Sequence, residues 1–322
     1  MRVSKFISIV NIRMKKTIIF GGSGFIGCHV VDNLISKGYD VTVFDRRYDA
    51  KKWDEYSWTG KVHFQLGDLK DRDAVFEAVN LNDIVINLGG LLGTSEMINN
   101  PIPAVEVNIL GALHVFDAIA LYKKRGFQIA VGNFWMNNPY SITKSTAERF
   151  ALMYNKEKGT DIRVMRGMNV YGERQKHRPV RKIFPNLVIP ALLNKDITLY
   201  GTGEQIMDLI YVKDFAEVLV RVATYDDIPN DILYEAGVGG KMTINKAAEL
   251  VLKATGSSSK LLHLPMRQGE DAISVVEISE KGWSDLKRYV NYTPEDLTPM
   301  HDAVQKSVDW YRENLSRFDW DE

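Results

Sequence analysis

The first strong pattern in the chain is a short apolar run, Thr17-Ile18-Ile19-Phe20, that ends in the glycine-rich stretch Gly21 to Gly27. Beyond the glycines the period changes: Ile26, Val30, Val31, Leu34 and Ile35 fall on one face of a helix. A second run, Asp40 to Phe44, ends at Asp45. The alternation then continues. Further strands are predicted at Val62 to Leu66, Ile84 to Leu88, Gln128 to Val131 and Ile162 to Met165. Helices are predicted at Asp71 to Val79, at about Ile102 to Lys124 with Pro103 in its first turn, and from Pro139 to a stop at Gly159. Arg46 to Gly60 is polar and aromatic, and leads to the third strand. Ile84, Val85 and Ile86 are apolar without interruption, as strands buried on both faces are. Six strands alternating with helices predict an α/β fold: a doubly wound parallel sheet, right-handed crossovers, and a ligand crevice at the carboxyl ends of the strands.

Strand, glycine turn and helix are together the context of a dinucleotide-binding (Rossmann) fingerprint. Gly21 suits the tight turn, Gly24 leaves room for a pyrophosphate, and Gly27 lets helix and strand approach closely. The glycines are spaced G-x-x-G-x-x-G. The backbone at the helix start, with Ser23, Phe25 and Ile26, is expected to hold the phosphates. Asp45 stands where an acid accepts from the adenosine ribose hydroxyls, and it would repel a 2′-phosphate. NAD is therefore expected over NADP, although Arg46 and Arg47 are residues of a kind that accept such a phosphate. Leu88 and Gly89, ending the fourth strand, are expected on the cofactor side.

Beyond Asn169 the rhythm changes. Pro179, Pro185 and Pro190, a basic loop (Arg174, Lys176, His177, Arg178, Arg181, Lys182) and short strands at Ile197 to Tyr200 and Leu233 to Ala236 predict a smaller α+β lobe. Met207 to Val212 and a helix at Lys213 to Val222 are expected to return to the first lobe. The division is then a tail at 1–13, a Rossmann domain at 14–168 and 207–233, and a substrate lobe at 169–206 and 234–322. No low-complexity linker separates the lobes, so they are expected to pack around a shared cleft.

Totals narrow the choice of function. Lys plus Arg and Asp plus Glu are both 41, which favours neither a nucleic-acid nor an anionic-membrane partner. No apolar run approaches the roughly 18 residues of a membrane span. The six histidines are scattered, so no metal is expected. The single cysteine, Cys28, excludes an internal disulfide and points to a reducing, cytoplasmic setting; its place on the first helix suits packing. Residues 1–13 lack the apolar centre and cleavage site of a signal peptide and are set aside from the fold.

The second constellation is Tyr140-Ser141-Ile142-Thr143-Lys144, in which Tyr140 and Lys144 share one helical face. A neighbouring ammonium stabilises a phenolate and lowers the phenol's pKa, which would make Tyr140 an acid/base near neutral pH. Lys144 can also hold the nicotinamide ribose.

With these motifs the sequence resembles the extended short-chain dehydrogenase/reductase family, in particular its NAD-dependent nucleotide-sugar epimerases and dehydratases. The resemblance runs from Lys16 to about Arg267. It rests on Gly21 to Gly27, Asp45, Gly67-Asp68-Leu69, Asn108, the 139–144, 165–172 and 199–214 segments, and Pro265 to Glu270. It implies that Asp68 and Leu69 contact adenine, that Tyr140 and Lys144 are the catalytic pair, that Asn169 binds the substrate's diphosphate region, and that Arg267 pairs with a phosphate oxygen. Asn108 would bend a helix or relay a proton. It further implies a homodimer through the helices at about 102–124 and 139–158, for which Val115, Ile119, Phe150 and Tyr154 are apolar residues to spare.

Two departures from the family pattern bear on the chemistry. Where a Ser or Thr usually follows the fifth strand, this chain has Gly132-Asn133-Phe134-Trp135, and the loop to Tyr140 is short. Asn133 can donate a hydrogen bond to a sugar oxygen but cannot shuttle a proton as a hydroxyl can. Thr94 and Ser95, after the fourth strand, are the alternatives for that role. The Thr-Asp-Glu run common in the family's dehydratases is also missing. In the second departure, an arginine that would grip the diphosphate is replaced by Met207, and the basic loop, Arg178 included, is expected to compensate. The resemblance thus implies an epimerase acting through a transient keto-sugar. A dehydratase, a dehydrogenase/reductase, and a non-catalytic NAD-binding sensor or scaffold are the alternatives.

Overall fold

Apolar strands joined by helices that are apolar on one side bury both sheet faces by stacking in three layers. The computed structural model describes residues 14–271 and 274–320, so the tail assigned to 1–13 lies outside the described residues. Strands β1 (Lys16–Phe20), β2 (Asp40–Asp45), β3 (Val62–Leu66), β4 (Ile84–Asn87), β5 (Arg125–Val131) and β6 (Asp161–Gly167) lie parallel in one sheet. A seventh strand, Leu233–Ala236, pairs in parallel with β6. The sheet order is 233–236, β6, β5, β4, β1, β2, β3. It reverses between β1 and β4, which opens a crevice at their carboxyl ends.

Two expectations are corrected here. The sheet has seven strands, and Leu233–Ala236 belongs to it and not to the smaller lobe. The cause is packing: Tyr234 and Ala236 are fully buried in the same cluster as Met165 and Phe215. The helix Glu280–Val290 follows that strand to the same sheet edge, burying Leu286 and Val290 in this cluster.

One sheet face is covered by α1 (Phe25–Ser36) and the helix Val212–Thr224. The other face is covered by the helices Arg72–Asn80, Ile102–Tyr122 and Pro139–Lys158. A third cluster fills the smaller lobe, where helix Ile183–Leu192 packs with helices Ile244–Thr255 and Met300–Glu313. Within the 206–212 stretch, Leu209–Tyr211 pairs with Asn169–Tyr171, and Ile206–Met207 pairs with Met242–Thr243. The unpatterned stretch after β2 holds a short helix, Ala50–Glu55, capped by the Asp49 carboxylate. Trp53 and Trp58 are buried there, and the Trp58 indole donates to Asp32 on α1 at 2.7 Å.

The helix Ile102–Tyr122 is long and apolar enough to cross a membrane by length and composition, contrary to the expectation of no such run. Counted as a helix it tolerates Glu106, Asn108, His114 and Asp117, which break the apolar sequence. Its buried side, with Val115, Phe116, Ala118 and Ile119, packs into its own sheet. Val115, Ile119 and Tyr154 are therefore core residues and not spare ones, and Phe150 packs partly buried against them. A helix rich in apolar residues all round does not declare its inner face. The apolar side chains these two helices leave exposed are Ile102, Leu110, Leu121, Ile142 and Met153.

Glu217 fastens α1 to the helix behind it. It accepts from Asn33 at 2.9 Å, from Lys37 at 2.8 Å and from Arg221 at 2.6 Å. Burial works against its charge, but the three donors prevail and hold the carboxyl at about 2. A carboxyl depressed in this way contributes stability that is complete above its unfolded value and is lost as pH falls through the folded one. Glu217→Gln is therefore expected to lower the urea midpoint at pH 7. The gap to the parent protein should close as pH falls from about 4.5 toward 2. A gap independent of pH would remove the ion pairs as its cause.

Candidate active site

At the end of β1 the chain turns at Gly21, whose φ is +78°, and enters α1. A Cβ on Gly27 would lie 2.3 Å from the Gly21 carbonyl oxygen and 2.8 Å from Gly22 Cα. Helix and turn touch only because hydrogen stands there. Gly24 is the N-cap of α1 and no side chain caps the helix, so its start presents backbone N–H groups suited to an anion. The Asp45 carboxylate accepts from the Ser23 N–H at 3.1 Å and the Arg46 N–H at 2.8 Å, which fixes the acid above the turn. The Lys52 ammonium donates to the Ser23 carbonyl. Asp68 accepts from the Lys70 N–H at 3.0 Å, and Leu69 is buried against Gly89. Leu88 is partly buried beside the core, and Arg46 is exposed. Phe25 and Ile26 reach further, into the wall of the main cleft. The glycine cradle, the fixed acid and the uncapped helix start fit a dinucleotide.

That cleft holds about 370 Å³ and joins the carboxyl ends of β5 and β6 to the smaller lobe. Tyr140 lines it from the first turn of the helix Pro139–Lys158. Asn138 caps this helix, accepting from the Ser141 N–H at 2.9 Å, and donates to the Gly269 carbonyl at 3.1 Å. Lys144 is one turn on and buried. A Cβ at Gly90 would lie 2.9 Å from Asn108 Oδ1 and 3.9 Å from Lys144 Nζ, so the loop after β4 passes closely because it has none. Asn108 sits in a π-helical segment, Val105–Leu110, within the long helix. Its Oδ1 accepts from the Leu91 N–H at 2.7 Å, and its Nδ2 donates to the Leu91 carbonyl at 3.0 Å and to Thr143 Oγ1 at 2.9 Å. Asn108 thus holds the loop after β4 to the helix of Tyr140 and Lys144.

Enclosure governs the ionisation of the pair. Burial pushes the Tyr140 phenol up to about 12 and the Lys144 ammonium down to about 8. For Tyr140 this is opposite to the lowering that the spacing predicted. Removal from water penalises each charged form, and among the described residues no hydrogen bond joins the two side chains to offset it.

Asn133 lines the cleft as expected, its Nδ2 3.3 Å from Met136 Sδ. Phe134 turns outward beneath Arg166, whose guanidinium lies 3.6 Å from the ring centroid and pairs with Glu148 at 2.6 Å. Thr94 also lines the cleft and donates to Glu270 at 3.1 Å. Ser95 does not: its hydroxyl donates to the Gln268 carbonyl at 2.8 Å, which turns it from the cleft wall.

On the far wall, Asn169 has a buried Oδ1 without a partner among the described residues. Arg267 pairs with Glu96 at 3.5 Å and with Glu270. Tyr200 lies beneath two guanidinium groups, Arg181 at 5.3 Å and Arg267 at 5.4 Å from its ring centroid. The basic loop divides. Arg181 and Lys182 line the cleft beside Met207. Arg178 is exposed outside it, and Arg174 turns to Asp32 at 2.6 Å and to the Tyr56 ring. A sequence reading passes over Tyr200, Glu96 and Asn138. The Asn-Pro step before a helical run was a readable cap signal for Asn138, whereas Tyr200 and Glu96 acquire meaning only from their neighbours in space.

Residues 17–132 and 126–237 match the family described as the NAD dependent epimerase/dehydratase family. The chain is 25% identical over 320 residues to a UDP-N-acetyl-alpha-D-glucosaminuronate decarboxylase of Bacillus cytotoxicus, covering 93% of this chain and 98% of that one. It is 24% identical over 316 residues to a putative UDP-glucose 4-epimerase of Methanocaldococcus jannaschii, covering 92% and 98%. Among solved structures, the UDP-glucose 4-epimerase of Thermotoga maritima with UDP-glucose superposes with a TM-score of 0.83 at 22% identity, covering 93% and 99%.

The contact at Gly27 makes the turn testable. Gly27→Ala is expected to abolish NAD⁺ binding in direct titration and to lower the unfolding temperature, because the methyl group forces helix and turn apart. Unchanged NAD⁺ affinity in that variant would place the dinucleotide elsewhere.

Proposed function

We propose that this chain, which belongs to the NAD dependent epimerase/dehydratase family, is a nucleotide-sugar epimerase acting through a transient keto-sugar. The observation that carries this reading is the placement of Tyr140 on the wall of a cleft that also holds Phe25 and Ile26 of the dinucleotide turn, Asn133, Asn169 and Arg267, with Lys144 one turn behind it. NAD⁺, when bound, supplies a hydride acceptor and a positive charge near the reacting carbon. Tyr140 Oη takes the sugar hydroxyl proton and later returns it. Lys144, held near 8 and so largely protonated at neutral pH, offsets the phenolate charge and orients the ribose. The Asn133 amide donates to the reacting oxygen, where a hydrogen bond aimed at developing charge contributes about 3–4 kcal/mol.

Epimerisation uses one acid/base twice, whereas elimination needs a further acid and base at neighbouring carbons. Two carboxylates line the cleft among the described residues, Glu270, which Arg267 engages, and Asp271, and the simpler reaction needs neither. A dehydratase or a decarboxylase would pass through the same ketone. Product analysis by mass and NMR after incubation with nucleotide sugars separates them: an isomer of unchanged mass supports the epimerase, and loss of water or CO₂ replaces it.

Tyr140→Phe is expected to abolish turnover. Asn133→Ala should lower turnover by about 10²–10³ without unfolding the protein. Full activity of the Tyr140 variant would end the catalytic assignment; near-normal turnover of the Asn133 variant would move the oxygen-orienting role to Thr94.

The exposed Ile102, Leu110, Leu121, Ile142 and Met153 on two neighbouring helices suit a homodimer that pairs those helices. Light scattering at micromolar concentration is expected to give twice the chain mass, and Leu121→Glu to shift it toward the monomer. A monomeric parent protein would remove the dimer.

A further inference from the structure

Three cations line the substrate side of the cleft, and they are not equivalent. Arg267 is engaged by Glu96 and Glu270, and its guanidinium lies over the Tyr200 ring. Arg181 lies over the same ring at 5.3 Å from its centroid. These two serve the end of the cleft marked by Tyr200. Lys182 is different. It is the N-cap residue of the helix Ile183–Leu192, its ammonium is 5.9 Å from the centroid of the Tyr140 ring, and no hydrogen-bond acceptor is found for it among the described residues. Glu96 and Glu270 are near enough to favour its charge through space, Arg267 opposes it, and enclosure lowers its pKa. An ammonium withdrawn from water without an acceptor is costly. The uncapped start of the helix that Lys182 precedes adds a second positive end at the same place.

We propose that Lys182 binds an anionic substituent of the reacting sugar ring, so that the substrate is a nucleoside-diphosphate hexuronate and not a neutral hexose conjugate. The inference rests on the nucleotide-sugar reading above and deepens it. Its basis is position: Tyr140 has to reach the carbon being oxidised, so an anion held beside the Tyr140 ring belongs to the sugar. On the nucleotide-sugar reading, the nucleotide's own phosphates belong with Asn169, Arg181 and Arg267 on the far wall. A sugar carboxylate against an ammonium forms a charge-assisted hydrogen bond, and a neutral hydroxymethyl group at that position leaves the ammonium unpaired.

The test is equilibrium titration of the full chain carrying Tyr140→Phe, so that nothing turns over, with UDP, UDP-glucose and UDP-glucuronate, and with GDP, GDP-mannose and GDP-mannuronate. In one of the two series the uronate is expected to bind about tenfold or more tightly than its hexose counterpart. Adding Lys182→Gln should bring that ratio near one and leave the affinity for the free nucleoside diphosphate unchanged. Lys182→Arg should keep most of the preference. Equal affinity for hexose and uronate overturns the proposal. So does a Lys182→Gln variant that weakens the free diphosphate as much as the uronate, since the lysine then holds phosphate. If neither diphosphate nor any conjugate binds, the nucleotide-sugar reading falls, and this proposal with it.

Discussion

A buried amide has an acceptor and two donor positions to satisfy, and Asn108 satisfies its own by joining the loop after β4 to the helix of Tyr140. That helix and that loop meet nowhere in the sequence. The π-helical segment at Val105–Leu110 is what turns the side chain toward both, since the wider winding offsets it from the usual helical face. Leaving either partner unpaired inside the protein costs about 1–3 kcal/mol. The amide therefore sets the spacing between the crevice, which the loop borders, and the face of Tyr140 and Lys144, which the helix presents.

Around that joint the cleft is electrically divided. The end nearest Tyr140 is dry, and dryness raises the phenol and lowers the ammonium behind it. The far wall is built from paired charges: Arg267 pairs with two acids, and two guanidinium groups lie near one aromatic ring. A group whose charge is penalised in the resting site is ready to respond to any charge brought beside it. Pre-paired groups respond little, and they serve to fix geometry.

The sheet was legible in the sequence because parallel strands buried on both faces are apolar without a break, and the glycine turn because its geometry admits few residues. Tyr140 and Lys144 were legible by spacing. Their ionisation was not, because a pKa depends on enclosure, and enclosure comes from segments as distant as Gly269. The seventh strand failed for a related reason: Leu233–Ala236 is four residues long, and only the edge left open by β6 decides where it goes. The outer face of the long helix was misread because the helix is apolar on more than one side. In the basic loop, six cationic or titratable residues look alike in sequence. Backbone direction alone sends Arg174 to α1, Arg178 to solvent and Lys182 into the cleft.

The cap at Asn138 bears on how the protein comes into being on the ribosome. Parallel strands have no hairpins to nucleate them, so each pairing waits for a whole crossover to be made. By Gly167 the chain has six of its seven central strands, together with the dinucleotide turn and the tyrosine. The carbonyl that Asn138 holds belongs to Gly269, and Met266, Arg267, Glu270 and Val276 complete the far wall of the cleft. These come well after Gly167 in the chain. A nascent chain thus completes its dinucleotide turn long before the far wall of the cleft exists.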